Sequence, residues 1–264
     1  MATEPLRPSQ GQGVLHLFFR VDPARRADWT RDDADALAET LERWQQTLQL
    51  HLFSTFGHKA DVMLMAIDGD LGALRRLQTD VVGAAAGAMT LSWSYLSLTE
   101  GSEYMQSAEE YREELVTKDV AEPDLSRRVD EFAERMATYT HDKLYPQMPP
   151  WELACFYPMS HRRDGDDNWY ALDFPERRRL MHEHGRSGRA YTGRVVQLVS
   201  GSTGLDDWEW GVTLFAHDFA DLKSIVYQLR YDEASARFAE FGPFVVGMRR
   251  TPHELVAEIG LARA

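Results

Sequence analysis

One cysteine, Cys155, stands in 264 residues. That scarcity excludes an internal disulfide and fits a reducing compartment. No CxxC or HxxH pair supplies a zinc site, and no nucleophile elbow, P-loop or dinucleotide fingerprint is present. Long apolar runs are missing as well. The most apolar stretch, residues 81–89, is far too short and small-sided to span a bilayer, and the polar first thirteen residues lack the apolar centre of a signal peptide. A cytoplasmic protein with no membrane span is expected. Basic residues are outnumbered, 29 against 42 acidic, for a net charge of −13. This excludes a dedicated binder of nucleic acid or anionic membrane, but leaves room for an anionic small ligand held by local basic residues.

What is present is ordinary globular composition: 44% hydrophobic, 27% charged. The length allows one large domain or two of ordinary size, and either buries a full core. Residues 1–12 read as a disordered leader. Residues 14–21 read as a strand, and Thr30-Arg31-Asp32-Asp33 opens a helix whose stripe is Leu37, Leu41, Trp44 and Leu48. Strands follow at 51–56 and 62–67, then a helix from Asp70 with Leu74, Leu77 and Val81 on one side, then a strand at 90–98. The order is β-α-β-β-α-β, the ferredoxin-like unit. Charged amphipathic helices at 107–116 and 124–139 interrupt it, and the proline-rich stretch 142–150 reads as a loop.

A second half then repeats the order: a strand at 153–159, a helix from Asp173 to His184 stopped by Gly185, strands at 190–199 and 208–216, helices at 220–229 and 234–239, and a strand at 243–248. Thr251-Pro252-His253-Glu254 is a capping box that starts a last helix. The expected fold is α+β: two ferredoxin-like halves, residues 13–100 and 151–264, joined by a helical linker at 101–150, with their sheets combined into a unit like a dimeric α/β barrel.

Of nine histidines, His184 faces the apolar side of its helix, because Leu180 and Met181 lie four and three residues before it. An imidazole so placed is either a satisfied core residue or a ligand. His182 falls on the side of Arg178 and Arg179 and reads as solvated. Tyr157 and Gln197 carry no signal alone, and Trp208 and Trp210 read as core, on one face with Val212 and Leu214. Read from residues alone, the chain offers a metal or haem pocket in its second half.

Longer motifs narrow this. Tyr157-Pro158-Met159-Ser160, Met181-His182-Glu183-His184-Gly185 with Gly188-Arg189-Ala190-Tyr191, and the run from Gly204 through Asp206-Asp207-Trp208-Glu209-Trp210-Gly211 to Phe215 resemble the chlorite dismutase-like superfamily. So do Arg230-Tyr231-Asp232-Glu233-Ala234-Ser235-Ala236-Arg237-Phe238 and Glu240-Phe241-Gly242-Pro243-Phe244. Within it they look like the coproheme decarboxylases of the Firmicutes type.

The resemblance implies hydrogen-peroxide-dependent oxidative decarboxylation of two propionates of iron coproporphyrin III (coproheme) to vinyls, giving haem b. It implies His184 as the iron ligand, Tyr157 as the radical-forming residue, Gln197 beside the open face of the ring, and Ser235 as a propionate partner. Lys143 falls where the family places a basic propionate partner, commonly Arg, and His161 where these enzymes usually carry Lys. Both depart from the pattern: Lys loses bidentate carboxylate binding, and His assists a carboxylate only when protonated or as a neutral donor. Gln197 disfavours a chlorite dismutase or peroxidase, since true chlorite dismutases place an arginine there. A homopentamer and an upstream coproporphyrin ferrochelatase are implied on the same grounds. The alternative of another class is a non-catalytic haem-binding or haem-delivery protein, which has no need of a tyrosine poised at a propionate.

Overall fold

A computed structural model describes residues 4–85 and 87–261. In chain order its elements are β1 (Gly13–Val21), α1 (Pro23–Arg26), α2 (Arg31–Gln45), β2 (Gln49–Thr55), β3 (Val62–Asp68), α3 (Leu71–Ala84), β4 (Met89–Thr99), α4 (Ala108–Thr117) and α5 (Asp124–Leu144). Then follow β5 (Leu153–His161), α6 (Phe174–Arg189), β6 (Val195–Gly201), β7 (Trp210–Ala216), α7 (Phe219–Leu229), α8 (Glu233–Phe238), β8 (Ala239–Phe241), β9 (Val245–Arg249) and α9 (Pro252–Glu258).

Helix starts follow local chemistry. Asp33 N–H donates to Thr30 Oγ1 at 3.2 Å while Thr30 N–H donates to Asp33 Oδ2 at 2.9 Å, and matching capping boxes open α4 at Ser107 and α9 at Thr251. The strands then join into one antiparallel sheet in the order β7-β6-β4-β1-β3-β2-β9-β5, and the β5–β7 pairing closes it into a barrel. The two ferredoxin-like halves therefore share one sheet. Where β9 leaves β5, β8 takes its place against Met159, Ser160 and His161.

Side chains alternate across this wall. Phe18, Phe53, Met65, Tyr95, Phe156 and Phe215 fill the barrel. Gly211 is required there, because a Cβ on it would come within 2.6 Å of the Tyr95 ring. The outer face of the first half carries Leu15, Leu17, Leu52 and Leu64, covered by Leu37 and Leu41 of α2, Leu74 and Leu77 of α3, and Leu255 and Val256 of α9. The outer face of the second half carries Leu153, Cys155, Tyr157, Val212 and Leu214. Thus α9, grouped with the second half by sequence, packs on the first.

Several expectations are corrected. Residues 6–12 are not a free leader: Leu6 N–H donates to Asp70 Oδ1 at 3.0 Å, and Gln12 N–H to Thr99 Oγ1 at 2.8 Å. Residues 1–3 of that stretch lie outside the described residues. Helix α5 runs on to Leu144, so Lys143 sits in a last helical turn rather than a loop. Gly185 does not stop α6, which continues to Arg189 because neither Gly185 nor Gly188 takes the left-handed conformation that ends helices. Strand β6 accordingly starts at Val195, not residue 190. Trp208 precedes β7 and packs against the barrel cluster, apart from Val212 and Leu214.

Candidate functional site

The site lies on the outer face of the second half. Alternation on β5 sends Tyr157, Met159 and His161 outward while Ala154 and Phe156 point into the barrel. Gln197 shares that outer side on β6 with Val195, since Val196 and Leu198 face inward.

His184 stands opposite, on α6. Its Nδ1 lies 3.3 Å from Asp232 Oδ2, an ion-pair approach rather than a well-formed hydrogen bond. Burial lowers its pKa, and the Asp232 carboxylate opposes that by raising it. Asp232 is held in turn by Ser187, whose hydroxyl donates to Oδ1 at 2.7 Å. One helical turn after His184, on the same face, Gly188 meets the Gln197 amide, whose Nε2 lies 3.4 Å from where a Cβ would stand.

Tyr157 is buried, its ring stacked on Phe244 at 4.4 Å and edge-on to Phe241 at 5.8 Å. Burial pushes its phenol well above the usual tyrosine value, and the nearby Arg230 charge pulls the other way. Phe241 and Phe244 also line a cavity of about 710 Å³, together with Arg162, Trp208, Arg230 and Ser235. Its volume is in the range of small-molecule and cofactor sites. Neither Arg162 nor Arg230 has an ion-pair partner among the described residues; Arg230 lies over the Phe241 ring at 5.1 Å.

His161 stacks flat on Trp169, centroids 4.2 Å apart and planes at 5°, with Trp210 edge-on at 4.9 Å. Its backbone N–H donates to Glu209 Oε2 at 2.8 Å. Burial lowers its pKa to about 4, helped by the charge of nearby His184. It is therefore a neutral imidazole, and its Nδ1 has no hydrogen-bond partner among the described residues.

The structure thus gathers His184, His161 and Gln197 around one face of α6, and Tyr157 and Ser235 around the adjoining cavity. Lys143 is not brought to either group: its ammonium lies over the ring of Tyr139, 5.6 Å from the centroid, on its own helix. Asp232 carries no signal of its own in the sequence, although it stands inside one of the motifs quoted above. Its signal is spatial, since α6 and α8 must pack before the carboxylate meets His184.

The donor set fits an iron porphyrin. The orphaned, buried Nδ1 of His184 and Oδ2 of Asp232 form the imidazole–carboxylate pair that orients metal-bound histidines. Guanidinium groups and a serine hydroxyl in the cavity suit carboxylates. Among the described residues no cluster of three His, Cys, Asp or Glu side chains is built to hold a bare metal ion, and no helix is long and apolar enough to cross a membrane.

A fold of this kind, with an imidazole on α6 facing the outer side of the sheet, defines a barrel of two ferredoxin-like halves with a candidate ligand site on one outer face. The sequence profile of the chlorite dismutase family matches residues 30–250, and the chain belongs to that family. It is 38% identical to a protein of Natronomonas pharaonis named as a candidate heme-binding protein, over 96% of this chain but 41% of the relative. The chain spans about two-fifths of that relative's length. A heme-binding protein from Thermus thermophilus is similar in structure: TM-score 0.80, 34% identity, 95% of this chain and 96% of that one. A mutant chlorite dismutase from Candidatus Nitrospira defluvii shares the fold at TM-score 0.70 and 18% identity, covering 96% and 97%.

Proposed function

We propose that this chain is a coproheme decarboxylase, converting iron coproporphyrin III to haem b with hydrogen peroxide. The observation that carries the reading is Tyr157, a buried phenol packed on Phe244 and Phe241, rings that line a cavity holding two unpaired guanidinium groups and Ser235. Each propionate loses CO₂, one proton and two electrons to become a vinyl group, and each peroxide takes two electrons and two protons to become two waters.

Bound iron porphyrin supplies the activation of peroxide and is itself the substrate. His184 would hold the iron through the nitrogen turned away from Asp232, and Asp232 keeps the ring oriented. Tyr157 gives up an electron and its phenolic proton, then takes a hydrogen atom back from the propionate side chain. Arg162, Arg230 and Ser235 anchor carboxylates; Lys143, to which the family pattern gives the same part, would have to leave the ring of Tyr139 to share it. Gln197 offers a neutral amide, and His161 offers a neutral nitrogen where a cation is usual. On the same reading the working species is a cytoplasmic homopentamer supplied by a coproporphyrin ferrochelatase.

A second reading, haem binding or delivery without turnover, draws support from the names of the Natronomonas and Thermus relatives. One experiment separates the two. Purified apoprotein is titrated with iron coproporphyrin III, peroxide is added stepwise, and the tetrapyrrole is followed by mass. Two successive losses of CO₂, abolished in Tyr157→Phe, are expected. Stoichiometric binding with no mass change, or ring bleaching alone, establishes the carrier instead.

A further inference from the structure

Two aromatic neighbourhoods meet at this site, and they differ in chemistry. The rings against Tyr157 are Phe241 and Phe244, which are far harder to oxidise than a phenol or an indole. A hole placed on Tyr157 has nowhere to go through its ring contacts. The rings on the His161 side are oxidisable and continuous. His161 lies flat on Trp169, and Trp169 meets Tyr104 edge-on with centroids 6.4 Å apart. Tyr104 stacks on the exposed ring of Phe174 at 5.9 Å and is itself half-buried, at the edge of solvent. Trp169 is 2% exposed, so it cannot be reached from solvent except through its neighbours.

We propose that Trp169 and Tyr104 form a one-electron outlet from the porphyrin site to the protein surface, discharging oxidising equivalents that Tyr157 does not pass to a propionate. The proposal rests on the reading above only in needing a bound iron porphyrin and peroxide; it does not need decarboxylation. Trp169 gives one electron to the oxidised site and is refilled by one electron from Tyr104. The phenolic proton of Tyr104 passes to the carboxylate of the neighbouring Glu103, whose charge, after burial, raises the phenol's pKa while Arg177 lowers it. Once an external one-electron donor has returned an electron to Tyr104 and the proton has come back from Glu103, a second passage supplies the second electron. The two protons that turn one peroxide into two waters are drawn from solvent at the porphyrin site. Burial first, and Glu103 second, push the Tyr104 phenol up to about 12, so it holds its proton until it is oxidised.

The geometry also sets direction. His182 Nε2 lies 3.2 Å from the Tyr104 carbonyl, which ties the segment after β4 to α6, and Arg178 reaches from α6 to Glu110 at 2.7 Å and 2.9 Å. Tyr104 is thus pinned beside the helix that carries His184. Excess oxidation ends on a phenol that an external reductant can repair, instead of on the ring or on Tyr157.

The test uses full-length protein loaded with iron coproporphyrin III, an excess of peroxide and a nitroso spin trap, with adducts located by peptide mass spectrometry. The porphyrin's visible absorption confirms loading, and the tetrapyrrole mass is read in the same samples. The expected result is an adduct on Tyr104 that is lost in Trp169→Phe and restored in Trp169→Tyr, which keeps an oxidisable ring. Tyr104→Phe should leave loading unchanged and make the ring bleach faster. A loaded wild type that consumes peroxide without labelling Tyr104 overturns the outlet, as does equal labelling in Trp169→Phe. CO₂ loss with no Tyr104 adduct sinks the outlet and leaves the decarboxylase reading standing. A Tyr104 adduct with no CO₂ loss does the reverse.

Discussion

The two halves present their helices to the two outer faces of one barrel, and they use them differently. On the first half, α2 buries Ala34, Leu37, Ala38, Thr40, Leu41 and Trp44, and α3 adds Ala73, Leu74, Leu77 and Val81. On the second, the sixteen-residue α6 buries Leu180 alone, and it is anchored by ion pairs from Arg178 to Glu110 and from Arg179 to Glu233. The first half spends its outer face on stability. The second leaves space between helix and sheet, lined by aromatic rings, guanidinium groups and polar atoms without partners among the described residues. The candidate ligand face is the packing that its twin completes and it does not.

Four measurements break or sharpen that contrast. The largest effect belongs to the barrel interior shared by both halves. Burial lowers the pKa of His16 to about 3 and of His51 to about 4, the latter helped by the charge of Arg249, so the folded chain keeps both neutral while the unfolded chain protonates them near 6.5. Their stabilisation is fully present above pH 6.5 and is lost as pH falls toward 4. Denaturant unfolding at pH 7 and pH 5 should differ by about 4 kcal/mol from the two together. A flat profile removes the claim that both are buried neutral.

Next is Leu37→Ala on α2, which should cost about 3 kcal/mol by the same measurement, through lost contacts and a residual cavity. Porphyrin absorption should be unaltered. His184→Ala on α6 inverts the pattern: a side chain 31% exposed contributes little packing, so the unfolding free energy should change by no more than about 1 kcal/mol. Iron ligation, read from the absorption spectrum, should disappear. A large loss of stability there would make His184 a core residue and erase the contrast. Smallest is Asp232→Asn, which removes the carboxylate that raises the His184 pKa. NMR titration of the apoprotein should show that imidazole protonating at lower pH.

How much of this could be read in the sequence follows the same division. In the first half, apolar residues recur at helical spacing between strands that are themselves rich in apolar and aromatic residues, and each element can be named because each is stabilised by its own buried residues. In the second half α6 has almost no apolar stripe, so the sequence marks its end only by Gly185, and that signal fails because a glycine without positive φ does not terminate a helix. Lys143 was displaced for a similar reason, the helix before it outlasting its apolar residues. His184 and Tyr157 were legible through long motifs. Asp232, Arg162 and the stacking of His161 on Trp169 were not, since they exist only where α6, α8 and β5 converge.

The placement of α9 bears on how the chain is made. Leu255, Val256 and Leu261 complete the core beneath α2 and α3, about two hundred residues after those helices. A ribosome therefore finishes the first half's strands and helices long before the residues that seal them have been translated. That half waits, with its apolar face uncovered, until residue 261 has left the exit tunnel, and aggregation is the competing fate during that interval.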